Sequence, residues 1–480
     1  MTKKPRVSSA SSFGWSFMIQ GGTQAINFIV TILLARLLLP EEFGLIGMIA
    51  IFIAIARALV DGGFVSSLIR TKEVDNIDYS TVFFTNMVSA IILYGVLFFT
   101  APYIANFYNQ EILISILRIL GLILIINAFS LVQSTKLNKA LLFKTQFKLQ
   151  LPSLIISAVI SIWMAYNNYG VWSLVAKDLI YALLTTLQLW LYSKWTPSMV
   201  FDKEKFKYHF NFGYKLSLTQ IVNTTFDNLY KVVIGKFFSA AQLGYYTRAR
   251  SLEQLPSSFF YNAFNRVAYP LLAKIENEKQ LKETYAKLMR LVVFLVTPIL
   301  VYLGVVAEPF FRWLLTEKWL PAVPYFQILI LSGVFYPIYK YNLNICQLKG
   351  RSDLVLKLSI FQNGLLVIGA LSAIWFGIYG LLYSLLVINI IVTGTNASIS
   401  GNLINYGIGQ QVKDLIPIFA VNIIVAFFTF IFYKNVLYDM SDMLILLIIG
   451  ASAFILYGAI SYVAKLRTLS DMIELIKQRG

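Results

Sequence analysis

The stretch FGWSFMIQGGTQAINFIVTILLARLLL, residues 13–39, carries a single charge, Arg36, near its far end. An α-helix rises about 1.5 Å per residue, so about 20 apolar residues cross the roughly 30 Å hydrocarbon core of a bilayer. The basic start before it, Met1-Thr2-Lys3-Lys4-Pro5-Arg6, has the look of a secretory signal. The apolar run is far longer than a signal core, however, and no small-residue cleavage site follows it. It reads as the first membrane helix.

The same pattern recurs to the far end of the chain. Spanning helices are expected at 12–38, 43–63, 79–101, 112–134, 151–167 and 170–193. After a polar break they resume at 209–236, 243–271, 286–307, 322–346, 354–376, 378–402, 412–433 and 443–464, about fourteen in all. Composition agrees: 58% of the 480 residues are hydrophobic and 13% charged, with mean hydropathy +0.70. Soluble domains run nearer half apolar and about a quarter charged. The expected class is an all-α integral membrane protein.

Several chemistries are excluded at this level. The one cysteine, Cys346, allows no disulfide within the chain, and the one histidine, His209, cannot join others of its kind at a metal. No GxxxxGK[ST] loop is present, and no set of residues has the spacing of an enzyme centre. We expect no catalysis, no metal and no cofactor.

The formal net charge is +17. In a soluble protein this points to nucleic acid; here loop cations account for much of it, and no nucleic-acid partner is expected. With the N-terminus in the cytoplasm, the loops on its side hold Arg70, Lys72, Lys136, Lys139, Lys203, Lys205, Lys279, Lys349 and Arg351 among others, and the tail holds Lys465, Arg467, Lys477 and Arg479. The opposite loops hold Arg312, Lys318 and Lys434 beside Glu41, Glu42, Glu111, Glu308, Glu317, Asp439 and Asp442. Cytoplasmic loops collect Lys and Arg, so both termini are expected inside.

A weak repeat relates ARLLLPEEFG (35–44) to GKFFSAAQLG (235–244). Arg36 matches Lys236, Gly44 matches Gly244, Gln20 matches Gln220 and Asn27 matches Asp227. Each copy opens a set of six helices on the same side, the signature of a parallel repeat about an axis along the membrane normal. The expected organisation is a lobe at 1–208, a second at 209–403, and two additional helices with a basic tail at 404–480.

Charges within the expected spans are costly, about 2.5–3.5 kcal/mol each at a helix centre on insertion scales. The bases there include Arg36, Arg57, Arg118, Lys177, Lys215, Lys231, Lys236, Arg248, Arg250, Arg266 and Lys340; the acids are Asp61, Asp178, Asp227 and Glu253. The acids cannot pair off the bases, so surplus positive charge must snorkel or face protein and water, where an anion is favoured. Arg36 and Lys236, at helix ends, fit snorkelling. Lys215 and Arg266 fit either reading, as do the i,i+4 pairs Arg57–Asp61 and Asp227–Lys231, whose spacing also suits an internal salt bridge. Arg248, Arg250 and Glu253 belong to YYTRARSLEQLPSSFFYNAFNRVAYP (245–270), in which Arg248, Ser251, Ser258, Asn262 and Arg266 form a polar stripe. Pro256 interrupts that helix's hydrogen bonding, either as a hinge or as a fixed bend. In the preceding helix Gln220, Asn223, Asp227 and Lys231 follow one face. Two adjacent polar helices imply a wet cavity between the lobes.

LARLLLPEEFGLIGM (34–48), APYIANFY (101–108), GVWSL (170–174), IGKFFSAAQLGYYTRARSLEQLP (234–256) and RVAYPLL (266–272) resemble strings of Wzx-type polysaccharide flippases. The similarity is to the colanic-acid-exporter-like branch of the multidrug/oligosaccharidyl-lipid/polysaccharide exporter superfamily. It implies a V-shaped, two-lobed, alternating-access fold in the bacterial inner membrane. The implied cargo is an undecaprenyl-diphosphate-linked oligosaccharide bound for O-antigen (lipopolysaccharide), capsule or exopolysaccharide, with a polysaccharide polymerase and membrane lipids as partners. On that reading Arg57, Lys215, Lys231, Arg248, Arg250, Arg266 and Lys340 meet the cargo, Asp61, Asp227 and Glu253 gate or couple it, and Pro256 is the hinge. A lipid II flippase is chemically close. A cation-coupled drug exporter needs acidic cavity residues, which the excess of Arg and Lys opposes, and a scaffold without transport gains nothing from internal charge.

Overall fold

The computed structural model describes residues 9–437 and 440–477, with side chains for 22–437 and 440–472. Lys3, Lys4, Arg6, Asp439 and Arg479 lie outside the described residues, as do the side chains of Gln20 and Lys477. Among the described residues every regular element is a helix. Backbone contacts divide the chain into two compact units, 1–244 and 245–480.

The first unit holds α1 (Ser9–Leu37), α2 (Pro40–Asp61), α3 (Phe64–Arg70), α4 (Asn76–Tyr108), α5 (Ile112–Leu120), α6 (Leu122–Lys139), α7 (Phe143–Tyr166), α8 (Val171–Ser193) and α9 (Lys203–Phe237). The unit boundary falls within α10 (Ala240–Ala273). The second unit continues with α11 (Glu278–Val305), α12 (Ala307–Leu315), α13 (Val323–Gly333), α14 (Tyr336–Leu348), α15 (Ser352–Ile404), α16 (Ile408–Phe432), α17 (Asp442–Val463) and α18 (Arg467–Lys477). Helix occupies each of the fourteen segments marked in the sequence. The separation expected between 376 and 378 falls inside α15, where Gly377 leaves helical geometry at φ 64°, ψ −161°.

Ten helical stretches among the described residues are long and apolar enough to cross a membrane. Their outward faces carry large apolar side chains, such as Phe99, Trp375 and Phe454, the last 81% exposed. Backbone polar groups are satisfied within each helix, as hydrocarbon requires. The protein is a multi-pass membrane protein. α9 and α10 are absent from the ten because amides, hydroxyls and charges dilute their apolar runs, and α15 enters once despite its break. Length and apolarity alone therefore do not deliver fourteen spans.

In the first unit α1 packs on α7, α7 on α8, α6 on α4 and α8, and α2 on α9. The two copies of the repeat start their second helices alike. At α2 the Glu42 carboxylate accepts from the Leu39 backbone N–H at 2.6 Å. At α10 the Gln242 side chain accepts from Ser239 N–H at 3.2 Å, and Ser239 Oγ accepts from Gln242 N–H at 3.1 Å. Each thus ties back the residue three positions earlier, the reciprocal logic of a capping box. The same two helix starts touch each other: a Cβ on Gly44 would lie 1.8 Å from the Ala240 carbonyl oxygen, and one on Gly244 would lie 1.9 Å from that of Pro40. Equivalent positions of the repeat therefore meet reciprocally, backbone on backbone.

In the second unit Tyr285, Tyr341, Phe294 and Tyr457 belong to one extended core. α18 is tied down by Asp471, which accepts from Arg290 of α11 at 3.1 Å; Arg290 also donates to Asp414 of α16 at 2.8 Å. An apolar cavity of about 670 Å³ lies among α11, α16 and α17, lined by Phe294, Tyr302, Val425, Phe454 and Tyr457, with Leu469 and Met472 of α18 also on its wall.

Candidate functional site

Arg57 sits in the last two turns of α2, a helix otherwise rich in Ile, Ala and Leu, yet its side chain is exposed. The reason is a pair of cavities within the first unit. One, about 480 Å³, joins α2, α3, α6 and α9; its wall is largely apolar, with Val60, Val65, Leu124 and Leu131, and is set with Arg57, Asp61, Asn127, Gln220 and Thr224. The other, about 250 Å³, is lined by Arg57, Asn27, Asn127, Ser157, Lys177, Asp178 and Tyr181, joining α1, α2, α6, α7 and α8. Arg57 and Asn127 stand on the wall shared by both. The i,i+4 spacing to Asp61 does not produce an ion pair within 4.0 Å among the described residues. Asp61 is the last residue of α2, and its Oδ1 accepts from the Val65 N–H at 3.3 Å, across the Gly62–Gly63 break that starts α3. Lys177 Nζ is 3.6 Å from Asp178. An arginine presented to two cavities, with the amides and hydroxyls of Asn27, Asn127, Gln220 and Thr224 on their walls, is a ready partner for a phosphate-type oxyanion.

The other sequence-marked charges are dispersed. In α9 Asp227 is exposed, Lys231 donates to Asn228 Oδ1 at 3.0 Å, and Lys215 is exposed beside the Tyr214 ring at 5.8 Å. In α10 the Arg248 guanidinium is 8% exposed and lies 5.7 Å from the Trp319 ring centroid. Arg250 Nη1 donates to Glu253 Oε2 at 3.0 Å, and Glu253, 1% exposed, also accepts from Ser257 Oγ at 3.2 Å. Glu253 is further walled in by Gly333, where a Cβ would meet its Oε1 at 2.1 Å. Arg250 is thus compensated, where composition alone leaves it in surplus. Lys340 of α14 is set 6.0 and 5.7 Å from the Tyr336 and Tyr339 rings, and Tyr261 of α10 stands 5.8 Å from Tyr336. Asn344 bridges this patch, accepting from Tyr261 Oη at 3.3 Å and donating to Asn265 at 2.6 Å. Arg266 is exposed at the far end of α10, and Pro256 lies within its unbroken helix. Sequence reasoning missed Asn127, Tyr181, Tyr336 and Asn344, since each is drawn to its site by a neighbouring helix.

A family model described as "Polysaccharide biosynthesis protein" matches residues 33–324, more than half of the 480. The match takes in Arg57, every residue lining the two cavities except Asn27, and all of α9 and α10. The chain belongs to the polysaccharide biosynthesis protein family. Among curated relatives it is 28% identical over 323 residues to the teichuronic acid biosynthesis protein TuaB of Bacillus subtilis, covering 66% of each chain, just short of two thirds. It is 23% identical over 395 residues to the lipopolysaccharide biosynthesis protein WzxC of Escherichia coli, covering 81% of this chain and 80% of the relative. Among solved structures the fold is similar to that of the lipid II flippase MurJ in an inward closed conformation, with TM-score 0.74, 16% identity, and coverage of 94% of this chain and 98% of that one. The family and the fold agree with the resemblance carried by the sequence strings.

A second polar cluster in this family member lies where α3, α4 and α9 meet. His209, fully buried, has Nδ1 2.8 Å from Ser67 Oγ and Nε2 3.2 Å from Asp78 Oδ1. Lys205 donates to Asp78 at 2.9 Å and to Asp75 at 2.6 Å. Sequence distance hid this: His209 and Asp78 are 131 residues apart. Asp78→Ala strands the buried His209 and half of Lys205's partners, and should destabilise by about 1–3 kcal/mol. The Lys205 ammonium holds the Asp75 carboxyl well below the usual carboxylate range. With the folded value depressed, that stabilisation is complete above the ordinary carboxylate value of about 4 and is lost only as pH falls through the folded value. Asp75 is solvent-screened, so Asp75→Asn should cost under about 1 kcal/mol, with no added pH dependence between roughly 6 and 8. Thermal unfolding of the detergent-solubilised variants checks both; equal shifts for the two would reject the assignment of Asp78 as the hub.

Proposed function

We propose that the protein is a flippase that carries a polyprenyl-diphosphate-linked oligosaccharide repeat unit from the cytoplasmic to the periplasmic leaflet by alternating access, for O-antigen, capsule or exopolysaccharide synthesis. The observation that supports it most is Arg57, a cation on a membrane helix exposed to two cavities, with Asn127 beside it on the wall of both. Placing a charge there costs about 2.5–3.5 kcal/mol on insertion scales, and an anionic cargo offsets that cost. The carrier lipid in this reading is of the undecaprenyl type, and the apolar cavity of the second unit has the chemistry to hold a hydrocarbon chain. Fourteen spans form two six-helix lobes, 1–208 and 209–403, followed by 404–480. Lys215, Lys231, Arg248, Arg250, Arg266 and Lys340 complete a basic route with Arg57, Asp61, Asp227 and Glu253 gate it, and Pro256 is the hinge. The protein works in the inner membrane with both termini cytoplasmic, and hands its cargo to a polysaccharide polymerase.

The test is flipping of defined lipid-linked saccharides in proteoliposomes, followed by accessibility to a membrane-impermeant reagent. The diphosphate-linked saccharide should reach the far leaflet faster than in protein-free vesicles. A potential negative on the loading side should speed it, since the potential contributes about 2.3 kcal/mol per charge per 100 mV. Equal rates with and without protein would remove the proposal.

A further inference from the structure

We propose that Asp178 is the resident counter-ion of Arg57, an acid built into the smaller cavity that competes with the cargo's diphosphate for the guanidinium. Both side chains line that cavity of about 250 Å³, and Arg57 alone of the two also lines the larger one of about 480 Å³. The guanidinium therefore stands between a fixed carboxylate on one side and, on the other, the larger cavity with Asn127, Gln220 and Thr224 on its wall. The ion pair within 4.0 Å that Asp178 makes among the described residues is to Lys177, not to Arg57. Asp61, the acid on the larger cavity's wall, is committed to the Val65 N–H. This inference rests on Arg57 being the cargo's anion contact.

The surroundings of Asp178 make the competition strong. From its own helix come Lys177, at 3.6 Å, and Tyr181; from α2 comes Arg57. α1, α6 and α7 offer only the neutral Asn27, Asn127 and Ser157. From α5, which also packs on α8, Arg118 is turned away, donating to the Phe98 carbonyl at 3.4 Å and stacking on that ring at 4.3 Å. Two cations thus share one carboxylate, and an entering dianion neutralises the surplus. An entering dianion must draw Arg57 away from the Asp178 carboxylate. By linkage, the carboxylate's hold on Arg57 and anion binding at Arg57 oppose each other to the same extent.

Isothermal titration of the purified, detergent-solubilised protein with inorganic pyrophosphate tests this. Asp178→Asn should bind about tenfold more tightly than the parent. Asp178→Glu, one methylene longer, should keep the parental affinity. Elution profile and unfolding temperature verify that each variant is folded. Parental affinity in Asp178→Asn overturns the competition, even if Arg57→Gln loses binding. Undiminished binding in Arg57→Gln instead overturns the anion role of Arg57 itself, and the competition with it.

Discussion

Gly44→Ala should lower the unfolding temperature markedly, and the double variant Gly44→Ala/Gly244→Ala should lower it scarcely further. A Cβ on Gly44 falls 1.8 Å from a carbonyl oxygen of Ala240, and one on Gly244 falls 1.9 Å from that of Pro40. Real Cβ atoms do not approach backbone so closely, and backbone has no rotamer with which to step aside. The starts of α2 and α10 must move apart, at a cost on the scale of overpacked cores, about 1–3 kcal/mol or more. One separation relieves both clashes, because the contact is reciprocal. Residues that share a backbone shift are expected to be non-additive by about 0.5–3 kcal/mol. Gly95→Ala is the control: no atom lies within 4 Å of its Cβ position, in the interior of α4. There the gain in helix propensity should leave stability unchanged or higher by about 0.5–1 kcal/mol. Thermal unfolding in detergent decides. Additive losses in the double variant, or none in the single, would show that the two turns do not bear on each other.

That contact also shows what a sequence offers. Gly44 and Gly244 are visible as a match in the repeat, and the capping residues Glu42 and Gln242 occupy matching positions beside them. The helices were legible because hydrocarbon demands long apolar runs, and the break at Gly377 falls between the spans expected at 354–376 and 378–402. The polar character of α9 and α10 was equally plain. The partners of individual charges were less so. Arg57 and Asp61 have salt-bridge spacing, but the Gly62–Gly63 pair ends α2 at Asp61 and turns its carboxylate to Val65. Arg250 and Glu253, inside an unbroken helix, do pair at i,i+3. Local spacing therefore decides where the helix continues and misleads where it stops. Cavities drawn from five helices, such as that around Asp178, and the His209–Asp78 contact depend on packing that no local pattern encodes.

Arg57→Gln should abolish surface polymer display, by about ten- to a hundredfold, while membrane abundance and unfolding temperature stay at parental values. The size follows from losing hydrogen bonds to a charged group, worth about 1.5–3 kcal/mol. Stability should hold because Arg57 is exposed to two cavities and no buried partner is stranded by its removal. Arg57→Lys should recover part of the activity, since an ammonium supplies charge without the planar fork that grips two phosphate oxygens. Arg250→Gln makes the contrast. It leaves the Glu253 carboxylate, 1% exposed, without its cation; breaking a buried pair costs about 3–5 kcal/mol, so abundance and unfolding temperature should fall first. Quantitative immunoblotting of membranes beside polymer staining separates a lost binding contact from a lost fold. Parental display by Arg57→Gln at normal abundance would take Arg57 out of the cargo path, and the two cavities beside it would then need another explanation.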